Sequence, residues 1–124
     1  MEKLEPSRRT ILVVEDEGLI RCDTSEMLRD KGFAVIEAAD AEEALAKVEL
    51  RPDISLLFTD INMPGRMDGL ELARCVHRLH PAIRLILTSG KATVCKAEMP
   101  DHGEFIPKPY TPQMVSLAVS RMLD

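Results

Sequence analysis

At 124 residues with 45% hydrophobic side chains, the chain has the size and apolar share of one globular domain. Three Phe, one Tyr and no Trp leave an aliphatic core as the only option. A net charge of −5 lacks the basic face of a nucleic-acid binder, and no apolar run approaches the ~20 residues of a membrane span.

Residues 1–9 are polar, contain Pro6 and are expected to form a flexible tail, with the folded domain over residues 10–124. The start Met1–Pro6 has no signal-peptide core, and Cys22, Cys75 and Cys95 show no CxxC spacing. Neither a zinc site nor a redox pair is signalled, and a cytoplasmic location is expected.

Ile11-Leu12-Val13-Val14 is a continuous aliphatic run, the mark of a strand buried on both faces. A helix follows with Ile20, Thr24, Met27 and Leu28 on one face, stopped at Lys31-Gly32. Phe33–Ile36 reads as the second strand. Asp40 is an N-cap with Glu43 reaching back, ahead of an apolar stripe of Ala41, Ala44, Leu45 and Val48 that ends at Arg51-Pro52. Ile54–Phe58 is the third strand. Asp68 caps the next helix, whose inner face is Leu72, Ala73, Val76 and Leu79. Ile83–Leu87 is the fourth strand and Phe105-Ile106 a short fifth. Between them only Lys91–Met99 can supply a helix, which β-branched Thr93 and Val94 and the breakers Pro100 and Gly103 make short or irregular. Thr111-Pro112 opens the last helix, with Met114, Leu117, Ala118 and Met122 as its packed stripe. Alternating strands and helices predict a parallel sheet with helices on both faces.

Ligands of such sheets gather at the carboxyl ends of the strands. Those ends here are Glu15-Asp16-Glu17, Thr59-Asp60, Thr88-Ser89-Gly90 and Lys108-Pro109. Clustered carboxylates repel unless a cation joins them, and hard oxygen ligands suit Mg²⁺. A carboxylate can also carry a phosphoryl group, whose oxygens a lysine and a hydroxyl would then meet.

These segments, with Ile61-Asn62-Met63-Pro64-Gly65, Asp68-Gly69 and Tyr110, resemble the receiver domain of two-component response regulators over residues 10–123. The resemblance implies a flavodoxin-like doubly wound (βα)5 fold with strand order 2-1-3-4-5. It assigns Asp60 as phosphoacceptor. Glu15, Asp16, Asp60 and the backbone carbonyl of Asn62 become ligands of Mg²⁺. Thr88, Ser89 and Lys108 serve phosphate binding and switching, Phe105 is the switch aromatic, and Pro109 follows a cis bond. The expected partners are a sensor histidine kinase or histidine phosphotransfer protein and a downstream protein target, without DNA or membrane contact. A stand-alone switch, monomeric or weakly dimeric, is expected. An aspartyl-nucleophile phosphatase is the enzymatic alternative, though Asn62 stands where such enzymes need a second aspartate. A scaffold without phosphorylation is the third.

Four departures from the family pattern stand out. Glu15 replaces the common Asp, and its extra methylene is expected to route the metal contact through water. The loop around Gly65-Arg66-Met67 carries one residue more than usual and should bulge. Phe105 lacks the hydroxyl of the common Tyr. The stretch from Thr88 to Lys108 is about two residues short, which bears on the usual fourth-helix surface. Small Ser89 and Gly90 leave the phosphoryl position open to water, so a short-lived phosphorylated state is expected. His77 and His80 read as exposed side chains rather than metal ligands, and Val115 and Val119 as packing or a partner face.

Overall fold

The computed structural model describes residues 9–90, 99–100 and 103–123. Residues 1–8 of the expected tail and the irregular helix after Gly90 lie outside the described residues, as do Cys95 and Asp124.

The described residues hold five strands and four helices: β1 (Thr10–Val14), α1 (Gly18–Asp30), β2 (Ala34–Ala38), α2 (Ala41–Leu50), β3 (Ile54–Asp60), α3 (Gly69–Leu79), β4 (Arg84–Ser89), β5 (Glu104–Pro107) and α4 (Pro112–Leu123). The strands form one parallel sheet in the order β2-β1-β3-β4-β5. Interior strand β1 is buried along its whole length, whereas edge strand β2 is mostly half-buried. Alternation along each strand divides the core into two layers. Leu12, Val14, Leu57, Leu85 and Leu87 meet Ala44 and Val48 of α2 and Leu72 and Val76 of α3. Ile11, Val13, Leu56, Phe58 and Ile86 meet Leu28 of α1 and Val115, Ala118 and Val119 of α4.

Local signals account for the helix starts. Asp68 accepts from the Glu71 N–H while Glu71 reaches back to the Asp68 N–H, a complete capping box. Thr111 Oγ1 accepts from the Met114 N–H. At α2, Asp40 accepts from the Glu43 N–H as expected, but Glu43 bonds the Ala39 N–H instead of that of Asp40.

Two strand ends and two packing expectations are corrected. Strands β3 and β4 run on through Asp60 and Ser89, because parallel pairing continues Thr59↔Leu87 into Asp60↔Thr88. Leu79 is 52% exposed, since the last turn of α3 passes the start of β4 and borders a cleft with Ile54, Ile83 and Arg84. On α4 the buried stripe is Val115, Ala118 and Val119, while Leu117 is 61% exposed. Apolar residues nearly surround this helix, so spacing permits either face, and the docking angle decides.

Candidate functional site

The sheet itself places the site residues. Glu15 directly follows β1, and its N–H bonds the Ala38 carbonyl at 3.1 Å. Asp60 is the last residue of β3, directly across from Thr88, and the Ile61 N–H bonds the Thr88 carbonyl at 2.8 Å. The Lys108 N–H bonds the Ser89 carbonyl at 3.0 Å, setting the lysine beside the end of β4. The Lys108–Pro109 peptide bond is cis, as the resemblance implies.

The side chains converge. Carboxylate oxygens of Glu15, Asp16 and Asp60 lie within 4.8 Å of one another. Glu15 and Asp60 are buried, at 3% and 4% exposure, while Asp16 faces solvent. Lys108 Nζ stands 2.9 Å from Glu15 Oε1 and 3.5 Å from Asp60 Oδ2. Glu15 is thus the lysine's nearer partner, and its second oxygen accepts from the Glu17 N–H at 3.3 Å. Burial pushes the Glu15 carboxyl above its ordinary range, against the bond from Lys108. Burial likewise raises Asp60, against the charge of Lys108 and the Asn62 N–H. The Lys108 ammonium is itself desolvated, but its bond to Glu15 and the facing charge of Asp60 outweigh that and raise its pKa.

One ammonium cannot neutralise three clustered carboxylates, and their mutual repulsion adds to the burial that raises Glu15 and Asp60. The donors are all hard oxygens, with Asp16 open to water. That set fits a divalent cation of the Mg²⁺ kind.

Around this cluster, Thr88 Oγ1 is buried with no hydrogen-bond partner among the described residues. Ser89 Oγ donates to the Asn62 side-chain oxygen at 2.5 Å, so the serine ties β4 to the loop after Asp60. Phe105 is half-buried against the layer holding α2 and α3. Gly69 has a steric reason: a Cβ there would lie 1.8 Å from the Asp60 carbonyl oxygen. The longer loop turns at Gly65, where φ is +109°, a conformation favouring glycine. His80 pairs with Glu49 at 3.0 Å, away from this site.

Two contributors were assigned no role from sequence, although Tyr110 belongs to the Lys108-Pro109-Tyr110 motif. Tyr110, given no role from sequence, shares a 2.7 Å hydroxyl–hydroxyl hydrogen bond with Thr24 and packs edge-on to Phe58 at 5.7 Å. It lines a cavity of about 560 Å³ with Ile20, Asp23, Met27 and Lys108. Arg21 of α1 donates to the Glu15 carbonyl at 2.8 Å. A larger cleft of about 680 Å³ opens at the other end of the sheet, beside Arg9, Arg51 and Arg84, but holds none of the clustered carboxylates.

Comparisons with known proteins agree with this geometry. The response regulator receiver domain family matches residues 11–120. The transcriptional regulatory protein PdtaR of Mycobacterium tuberculosis is 36% identical over 94% of this chain and 59% of its own length. The chemotaxis protein CheY1 of Helicobacter pylori is 34% identical over 85% of this chain and 89% of its own. The sensor kinase CckA of Brucella abortus is 35% identical over 93% of this chain, which spans only 12% of that kinase. Among solved structures, a CheY-like receiver domain protein from Methanospirillum hungatei superposes with a TM-score of 0.85 at 31% identity, covering 94% of both chains. No helix among the described residues is long and apolar enough to cross a membrane. With a flavodoxin-like sheet, an acidic pocket at its carboxyl edge and a family match over nearly its whole length, the chain belongs to the receiver domains of two-component response regulators.

Proposed function

We propose that Asp60 accepts a phosphoryl group from a phosphohistidine, borne by a sensor histidine kinase or a histidine phosphotransfer protein. An Asp60 carboxylate oxygen bonds to phosphorus as the phosphorus–nitrogen bond breaks, and the imidazole leaves with that bond's electron pair. The observation that carries this reading is the buried Asp60 carboxylate, grouped with Glu15 and Asp16 and facing Lys108 Nζ at 3.5 Å. Glu15, Asp16, Asp60 and the Asn62 backbone carbonyl would hold Mg²⁺, which when bound supplies positive charge against the phosphoryl oxygens.

Lys108 turns from Glu15 toward the phosphoryl group, and Thr88 gives its unpartnered hydroxyl to a phosphoryl oxygen. Ser89 and Asn62 border the site through their mutual bond, and Phe105 follows Thr88 inward. The surface around β5 and α4 changes with them. That is a shift between two states biased by the phosphate, read by a protein partner rather than by DNA. Hydrolysis of the acyl phosphate resets the switch, so the domain serves as a phosphoacceptor rather than a turnover enzyme. A cytoplasmic location goes with this reading.

NMR spectra with Mg²⁺ and beryllofluoride, on wild type and Asp60→Asn, test the reading. Shifts spreading from Asp60 through residues 88–90 and 103–110 are expected in wild type only. No response in wild type, or the same response in Asp60→Asn, would overturn it. Steady turnover of a generic phosphate ester would favour the phosphatase alternative.

A further inference from the structure

We infer that Arg21 is a positioning residue for the metal-holding segment Glu15-Asp16, acting as a strut between that segment and β2. The inference rests on reading Glu15, Asp16 and Asp60 as a divalent-cation site.

The Glu15 side chain is held by Lys108 and the Glu17 N–H, but the backbone between β1 and α1 has fewer ties. Glu17, at the N-cap of α1, makes no side-chain capping bond, and the first turn carries no acidic residue. The Glu15 N–H is tied to Ala38, but its carbonyl lies past the end of the β1 pairing. Arg21 Nη1 takes that carbonyl at 2.8 Å. The same guanidinium turns its Nε to Glu37 Oε1 at 3.3 Å, and the other Glu37 oxygen meets Arg29 at 3.5 Å. Glu37 sits on β2 in register with Val13, two residues before Glu15. Arg21 itself is fixed in the first turn of α1, where its N–H bonds the Glu17 carbonyl at 2.9 Å. A planar fork can hold a carbonyl and a carboxylate together, whereas an ammonium is a single point.

Charge and positioning predict opposite signs. As a bare charge, Arg21 repels a cation beside Glu15, and its removal should tighten Mg²⁺ binding. As a strut, it keeps two ligands in place, and its removal should weaken binding. Calorimetric titration of MgCl₂ into the full chain separates them. Arg21→Met and Arg21→Lys should each weaken Mg²⁺ binding about tenfold, the lower range for loss of a group that orients metal ligands. Glu37→Gln should weaken it less. Unchanged or tighter binding in Arg21→Met overturns the proposal. A second readout needs no metal: backbone ¹⁵N order parameters of Asp16, Glu17 and Gly18 should fall in Arg21→Met and Arg21→Lys while those of β1 hold. Unchanged order parameters in both overturn the strut. If wild type binds no Mg²⁺, the cation-site reading fails, and the order parameters still decide the role of Arg21.

Discussion

Replacing Thr88 with valine should make the resting protein more stable and the switch worse. Thr88 is 1% exposed, and its hydroxyl has no partner among the described residues. An unpaired buried hydroxyl costs about 1–3 kcal/mol. Valine keeps the shape and the β-branching that suit a buried strand, so Thr88→Val should gain about 1 kcal/mol, or roughly 4 °C in Tm for a domain of this size. The loss should fall on the loaded state. A hydrogen bond to a charged group is worth about 1.5–3 kcal/mol, so beryllofluoride affinity should drop by roughly 10- to 100-fold. Urea unfolding at pH 7, with and without Mg²⁺ and beryllofluoride, reads both quantities. Thr88→Ala serves as control, since it also removes a packed methyl and should destabilise the resting state. Destabilisation by Thr88→Val of more than 1 kcal/mol would show that the hydroxyl is already satisfied. Unchanged beryllofluoride affinity would show that it does not face the phosphoryl group.

Gly69→Ala should destabilise by about 3 kcal/mol or more, because a Cβ at 1.8 Å from the Asp60 carbonyl forces backbone apart; a urea midpoint matching wild type would refute the close packing of α3 on β3. Glu15→Asp shortens the reach to Lys108, leaving Asp60 as the lysine's partner and lowering the Asp60 pKa relative to wild type. Carboxyl ¹³C NMR titration checks this, and a raised Asp60 value would contradict it. The Asp60 carboxyl sits above its ordinary 3.8 through burial. A carboxyl that holds its proton more tightly folded than unfolded adds stability below the ordinary value, and that contribution is lost as pH rises through the raised one. Without divalent cation, the stability of Asp60→Asn relative to wild type should therefore grow as pH climbs above about 4, and added Mg²⁺ should shrink the difference. A pH-independent difference in urea unfolding would show that burial does not perturb Asp60.

The legible part of this protein is what neighbouring residues settle among themselves. Ile11–Val14 and Leu85–Leu87 read as strands because burial on both faces removes polar alternation. Asp40, Asp68 and Thr111 announce helix starts because a cap is a contact within one turn. The convergence of Glu15, Asp16, Asp60 and Lys108 was legible too, since each stands at or just past the end of a strand and parallel pairing brings those ends to one edge. What sequence left open depends on how separate elements meet. The face of α4 that packs, the exposure of Leu79, and the Thr24–Tyr110 bond follow from docking angles that no local spacing encodes. The same holds for the charges at the centre. Sequence put Lys108 in the pocket, but only the three-dimensional arrangement gives it Glu15 as the nearer partner and sets Arg21 beneath the Glu15 carbonyl. An ion pair joins residues far apart in the chain, and its partner is chosen by side-chain reach across the folded sheet.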